Sequence, residues 1–385
     1  MKIIFHCQHI WGVGHFFRAL EICRALKEHE LILVTGGAHL ERGLPDHVRH
    51  FCLPGLMTDR NYQGLHPTDP DRSLEDVCQE RKELLGALFT KECPDVFLVE
   101  LYPFGRKAFR FELDPILKDI RSGRLRCGKV ICSLRDILVE KPDPAVYESR
   151  VVNQLNLYFD ALLVHADPAL VTLDLTFSRV QDIDIPVVYT GYIASEPSPH
   201  PGNELRKELN IDPEEHLVVA STGGGKVGIV MLEPLLEGFP RLASGTPIHL
   251  HAFTGPYMPE KEFSFLSSHA GPRVKVRRFT SRFLAYLGAA DLSVSMGGYN
   301  TIMNILSTGV PALVWPYPGD QEQGLRASRL AELGVLDVIA ERDLKPERLA
   351  ALVRGKLGFS IRRSHSIDLS GAVNTARWMS ACAED

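Results

Sequence analysis

Short apolar runs alternate with longer amphipathic ones along this chain, and that rhythm leaves few folds open to it. Lys2–Cys7, Glu30–Thr35, Asp95–Glu100, Lys129–Leu134, Ala161–His165 and Pro186–Thr190 read as buried strands. Between them, His15–Glu28, Leu74–Phe89 and Ala145–Phe159 carry helical spacing; in the first of these, Phe16, Leu20, Cys23 and Leu26 fall on one face. Strand–helix alternation of this kind predicts an α/β fold, with a mostly parallel sheet covered on both faces. The segment Ile193–Asn203, rich in Pro, Ser and Gly, interrupts the alternation and reads as a domain boundary. After it the pattern restarts with strands His216–Ala220, Pro247–Phe253, Val274–Phe279, Leu292–Ser295 and Pro311–Trp315. The intervening helices are Val227–Phe239, Arg282–Ala289, Thr301–Ser307 and Leu325–Leu333. Two α/β domains are therefore expected, over residues 1–194 and 195–365. Residues 366–385 are expected to form a terminal helix that crosses back to the first domain. Phe51–Arg72 has little periodicity and reads as a long loop, a candidate lid or acceptor-binding segment.

Composition removes several functional classes. The chain has 385 residues, and Lys plus Arg (43) against Asp plus Glu (48) gives a formal net charge of −5. With no basic run, it lacks the electrostatic footprint of a nucleic-acid binder. The longest uncharged stretch, Leu292–Gly319, is broken by Asn, Ser, Thr, Gly and Pro, so it does not read as a membrane span. Cys7, Cys23, Cys52, Cys78, Cys93, Cys127, Cys132 and Cys382 form no CxxC pair, which points to reduced thiols in a cytoplasmic protein. His6, Cys7 and His9 could be imagined as metal ligands, but neighbours on a strand face opposite ways. Asp182-Ile183-Asp184, the one D-x-D, reads as a solvated turn, so no metal site is expected.

Three glycine-rich segments carry the candidate chemistry. Gly12-Val13-Gly14-His15 follows the first strand and opens the first helix, where glycines admit a ligand and the helix N-terminus favours an anion. It is no dinucleotide fingerprint, because the third glycine would fall at Phe17. It does place an imidazole, suited to general-base work near neutral pH, at the mouth of a cleft. Thr222-Gly223-Gly224-Gly225-Lys226 sits at the equivalent place in the second half and reads as a phosphate cradle; Ala220 and Val227 exclude a Walker A loop. Third, Ser295-Met296-Gly297-Gly298-Tyr299-Asn300-Thr301 precedes Gly309-Val310-Pro311 and Glu322-Gln323-Gly324-Leu325-Arg326-Ala327. Each polar cluster ends a predicted strand, where open α/β sheets bind ligands.

The run from Phe279 to Gly334, with Ala290-Asp291, Ser295, Gly297-Gly298, Asn300-Thr301, Gly309-Val310-Pro311, Glu322-Gln323 and Arg326-Ala327, resembles glycosyltransferase family 28. This is the superfamily of the peptidoglycan N-acetylglucosaminyltransferase, and Gly12–Leu20 matches its glycine–histidine loop. The resemblance implies the GT-B fold, two Rossmann-like domains facing each other across a cleft, with acceptor on the first and nucleotide-sugar donor on the second. It implies that His15 is the base. It assigns donor contacts to Gly12, Gly14, Gly223, Gly224, Gly225, Lys226, Phe279, Gly297, Gly298, Asn300, Thr301, Glu322 and Gln323. Asn304 stands where the family usually has a ribose-binding Glu, and Arg326 replaces a commoner Asn.

The implied reaction is inverting transfer from a nucleoside-diphosphate sugar, a UDP-sugar, to an acceptor hydroxyl. The acceptor class is a lipid-linked molecule or a glycan, and the implied location is the cytoplasm or its membrane surface. No cofactor and no metal are implied. Glu100 and Asp136, each at the end of a strand, are candidates to orient His15 or the acceptor. Two rivals stand beside this reading: a nucleotide-sugar hydrolase in which His15 activates water, since Gly12, Gly14, His15 and Arg18 fit such a start, and a catalytically idle nucleotide-sugar-binding protein, favoured by Asn304.

Overall fold

A computed structural model describes residues 1–8, 14–37, 43–58, 64–197, 201–245, 247–357 and 364–382. The chain divides into two compact units, Met1–Ile193 with Ile367–Asp385, and Ala194–Ser366.

The first unit is built on strands β1 (Lys2–His6), β2 (Glu30–Thr35), β3 (Val48–Cys52), β6 (Val96–Glu100), β7 (Lys129–Arg135), β8 (Ala161–His165) and β9 (Val187–Tyr189). They form a seven-stranded sheet in the order β3-β2-β1-β6-β7-β8-β9, and every neighbouring pair is parallel. Helices α1 (Gly14–Ala25), α2 (Leu74–Glu92), α3 (Arg110–Arg121) and α4 (Pro144–Tyr158) connect the strands. Because helices cover both faces, the central strands have no wet side; Ile3, Ile4 and Phe5 of β1 and Phe97 to Val99 of β6 are fully buried.

The second unit contains β10 (His216–Ser221), β11 (Ile248–Phe253), β12 (Val274–Arg277), β13 (Leu292–Met296), β14 (Ala312–Trp315) and β15 (Asp337–Val338). This six-stranded sheet runs β12-β11-β10-β13-β14-β15, again with parallel neighbours. Around it lie α5 (Pro201–Glu208), α6 (Ile229–Leu242), α7 (Glu260–Ser267), α8 (Phe283–Ala289), α9 (Tyr299–Thr308), α10 (Gln321–Glu332) and α11 (Pro346–Leu357). The last helix, α12 (Gly371–Ala381), returns to the first unit. There Met379, Ala376 and Trp378 pack with Phe16, Ala19 and Leu20 of α1.

In both sheets the order in which strands are added reverses at the centre. In the first, β1 pairs with β2 on one side and β6 on the other; in the second, β10 lies between β11 and β13. At such switch points the loops after the two central strands diverge and leave a crevice at the strands' carboxyl ends.

Three expectations need correction. The strand expected to end at Phe279 stops at Arg277, so Phe279 stands in the following loop, about half exposed. The segment around Ile193–Asn203 is not all linker, because α5 begins at Pro201. Phe51–Arg72 is not a bare loop either: β4 (Leu56–Thr58) pairs antiparallel with β5 (Leu65–Pro67). Helix α3 and strand β3 were not foreseen.

Candidate active site

In the first unit, the switch point brings His15, in the first turn of α1, against Glu100, the last residue of β6. The His15 Nδ1 atom lies 2.6 Å from Glu100 Oε1. An ionised carboxylate only accepts, so Nδ1 carries the proton and Nε2 keeps its lone pair. Arg18, one turn along α1, also donates to Glu100 Oε1, and Arg106 Nε approaches Oε2 to 3.6 Å. Cys7 Sγ on the chain after β1 donates to the His15 carbonyl at 3.8 Å. The His15 side chain keeps 24% of its surface exposed, whereas Glu100 keeps 1%.

The electrostatics follow from this packing. Burial lowers the His15 pKa to about 4; Arg106 and Arg18 lower it further while Glu100 opposes them. Burial alone would raise the Glu100 pKa, but His15, Arg106 and Arg18 hold it well below the usual carboxylate range. The ring is therefore uncharged and the carboxylate charged at neutral pH. Of the two candidate carboxylates, Glu100 is the one bonded to the ring. Asp136 lies buried on the turn after β7, the next strand out.

In the second unit the glycine segments fall at the other switch point. Thr222 to Gly228 follow β10, and Gly297-Gly298 follow β13. Gly225 has φ of 92°, and a Cβ there would strike the Thr254 carbonyl; Gly255 has φ of 85°, and a Cβ there would strike the backbone of Gly223 to Gly225. Two glycine turns thus lie directly on each other, at backbone conformations that L side chains rarely adopt. Gly223 and Gly224 remain exposed, as does Lys226. Helix α9 starts at Tyr299 with Gly298 as its N-cap and no capping side chain. A helix start of this kind, at the carboxyl end of β13, favours an anion. Thr301 is buried, Asn300 is half-buried, and Asn304 lies one turn along the same helix.

Helix α10 opens with Asp320, whose side chain caps Glu322 N at 3.1 Å and Gln323 N at 3.3 Å. The Gln323 amide is engaged at both ends: Nε2 donates to Asp320 Oδ2 at 3.0 Å, and Oε1 accepts from Tyr317 N at 3.1 Å. Each end retains one further hydrogen-bonding position. Glu322 is buried, and the fully buried Arg326 lies over the Tyr299 ring, 5.2 Å from its centroid. Gly12 lies outside the described residues; Gly14 begins α1. Among the described residues, no three His, Cys, Asp or Glu side chains are grouped to hold a metal.

The family model for the glycosyltransferase family 28 C-terminal domain matches residues 222–358, the stretch that carries both glycine segments of the second unit. The whole chain superposes on Phytolacca americana UGT2 complexed with UDP-2-fluoro-glucose and pterostilbene, with TM-score 0.63 at 14% identity, covering 100% of both chains. The chain has the GT-B fold, and its second unit matches the family 28 C-terminal domain. Among relatives, an uncharacterized glycosyltransferase of Methanopyrus kandleri is 22% identical over 60% of this chain and 64% of its own length. The UDP-N-acetylglucosamine–N-acetylmuramyl-(pentapeptide) pyrophosphoryl-undecaprenol N-acetylglucosamine transferase of Methylobacterium radiotolerans is 28% identical over 41% of this chain and 46% of its own length. The matches thus span less than two thirds of either relative. None of these likenesses points to a nucleotide-sugar hydrolase.

Some parts of this GT-B site were not foreseen in the sequence. Gly255 and Asp320 are signalled by a strand-ending Thr-Gly pair and by an Asp before a helix. Arg106 had no local signal. Neither had Arg81, a fully buried residue of α2. It holds Glu112 of α3 by two bonds of 2.7 Å, Gln8 Oε1 at 3.0 Å and the Pro54 carbonyl at 2.7 Å. His6 completes that network with Nε2 at 2.9 Å from Glu112 Oε1. The network ties the ends of β1 and β3 to two helices beside the switch point.

Proposed function

We propose that this protein transfers a sugar, with inversion, from a UDP-sugar to an acceptor hydroxyl, with His15 as general base. The observation that carries the proposal is the His15–Glu100 pair, a neutral, carboxylate-oriented imidazole at the switch point of the first sheet. The acceptor hydroxyl gives its proton to Nε2 as its oxygen attacks the anomeric carbon. The bond from that carbon to the diphosphate breaks, and the electron pair leaves with the nucleotide. Glu100 stabilises the imidazolium that forms, and Asp136 helps to shape the acceptor side.

The leaving diphosphate gains charge, which the turns at Gly223–Gly225, Lys226 and the N-terminus of α9 from Gly297 to Thr301 receive. Fixed dipoles and one ammonium suffice for this step, so the proposed chemistry requires no metal or cofactor. Phe279 lies beside the nucleobase and Asn304 beside the ribose, without the charge a carboxylate would add. Glu322 and the remaining positions of Gln323 hold the hexosyl hydroxyls. The proposed acceptor is lipid-linked or a glycan. Among the described residues no helix is long and apolar enough to cross a membrane, so a lipid-linked acceptor would be met at the membrane surface.

The test is a donor screen by product mass with the full chain, run with and without a lipid and glycan extract. Acceptor-dependent release of UDP together with a hexose mass added to an extract component supports transfer. Donor turnover that is independent of acceptor, or none with any donor, overturns it.

A further inference from the structure

Glu100 is surrounded by more positive charge than its own charge requires. Its Oε1 atom accepts from His15 and Arg18, and its Oε2 atom faces Arg106 Nε at 3.6 Å. Oε2 and the Arg106 Nε and Nη2 atoms are buried and make no hydrogen bond among the described residues. With a neutral imidazole, two guanidinium groups and one carboxylate leave the cluster one net positive charge.

Arg106 owes its place to an unusual turn. Leu101 and Arg106 have φ of 65° and 57°, the left-handed region that residues other than glycine rarely enter. The turn is closed by Gly105 N on the Leu101 carbonyl at 2.7 Å and anchored by Leu101 N on the Ser133 carbonyl at 2.8 Å. Backbone of this kind persists where its surroundings over-determine it, and such places cluster at functional sites. Its effect here is to fold the chain after β6 back, so that a side chain leaving the sheet meets the carboxylate at the sheet's end.

We propose that Arg106 is a positioning residue: its guanidinium clamps the second oxygen of Glu100 and so holds His15 as the uncharged Nδ1–H tautomer. This inference deepens the transfer reading, because an uncharged ring with Nε2 available is what a base needs. The charges bearing on the ring are Glu100 from β6, Arg106 from the turn and Arg18 from α1. Cys7 after β1, Cys132 on β7 and His165 on β8 also surround that carboxylate. Burial keeps both thiols protonated and lowers the His165 pKa to about 3, so these three are uncharged at neutral pH. Glu100 favours ring protonation and the two arginines oppose it. Removing Arg106 therefore eases protonation and loosens the carboxylate.

Ring-nitrogen NMR spectra of the ¹⁵N-histidine-labelled full chain test this without donor or acceptor, with the His15 signals assigned from a His15→Gln variant. The wild-type ring is expected as the Nδ1–H form with a midpoint near 4. Arg106→Gln is expected to move the midpoint up by about one unit and to admit the other tautomer, while Arg106→Lys, which keeps the charge, stays near wild type. Should the Gln variant not fold, Arg106→Met, suited to a buried position, takes its place. A folded Gln or Met variant with wild-type midpoint and tautomer overturns the proposal, as does a Lys variant shifted as far as the Gln one. Because no substrate is used, that failure is distinct from failure of the transfer reading, which the donor screen decides.

Discussion

His15 and Glu100 are 85 positions apart in the chain and 2.6 Å apart in the fold. The parallel pairing of β1 with β6 makes them neighbours, since His15 follows β1 and Glu100 ends β6 at the same edge of the sheet. A base oriented in this way contributes about 100- to 10,000-fold to a proton transfer. Replacing His15 by Ala is therefore expected to lower turnover at least about 100-fold while UDP affinity, measured by calorimetry, stays within about twofold. Unchanged turnover would remove the ring from the reaction.

The acid limb of the rate profile follows from the same pair. A base must be uncharged, and the His15 pKa is lowered to about 4 by burial, assisted by Arg106 and Arg18. An unperturbed histidine would lose activity below about pH 6.5. Here kcat/KM is expected to hold as pH falls through that range and to decline only toward pH 4. Stability moves the other way from a raised pKa. The unfolded ring binds its proton below about 6.5 while the folded ring does not, so stability is lost as pH falls between the two values. A limb near 6.5 in a still-folded protein would contradict the buried-ring account.

Gly255 offers a check on the donor turns that leaves the chemistry untouched. Its φ of 85° and the backbone of Gly223 to Gly225 beside it leave no room for a methyl group. Gly255→Ala is expected to weaken UDP binding at least tenfold, from about 1.4 kcal/mol or more of strain passed to the turn at Gly223–Gly225. Calorimetry on a variant of native circular dichroism decides it. Wild-type affinity would show that this turn does not hold the nucleotide.

The Arg81–Glu112 pair is expected to govern stability. Both residues are fully buried. Arg81→Met leaves the Glu112 charge with His6 as its partner among the described residues, and loss of one partner of a buried pair costs about 3–5 kcal/mol. Urea unfolding should show this loss in midpoint. A change below about 1 kcal/mol would mean that water reaches the pair.

Much of the fold was legible in the sequence because both sheets are buried on two faces. Ile3 to Phe5, Leu31 to Val34 and Ala161 to Val164 are continuous apolar runs, and a parallel strand reads that way. The glycine segments were legible because positive φ and close backbone contact admit little else. What stayed hidden depends on tertiary context. Strand β3 has a mixed pattern, since edge position leaves three of its five residues exposed or nearly so. Helix α3 carries Pro115 and a buried Glu112, which the distant Arg81 and His6 make tolerable. Arg106 escaped notice because its role rests on a left-handed turn that no local motif announces. The Gln323 amide, expected as a donor contact, is half engaged by Asp320 and Tyr317, a geometry set by the cap of α10.

A nucleoside diphosphate is expected to dock on the glycine turns at the second sheet's switch point. Backbone hydrogen–deuterium exchange of the full chain, with and without saturating UDP, tests it most directly. Slowed exchange is expected in residues 222–228 and 297–304, with little change in the sheet of the first unit. Protection confined to other segments, with those two exchanging as before, would contradict it.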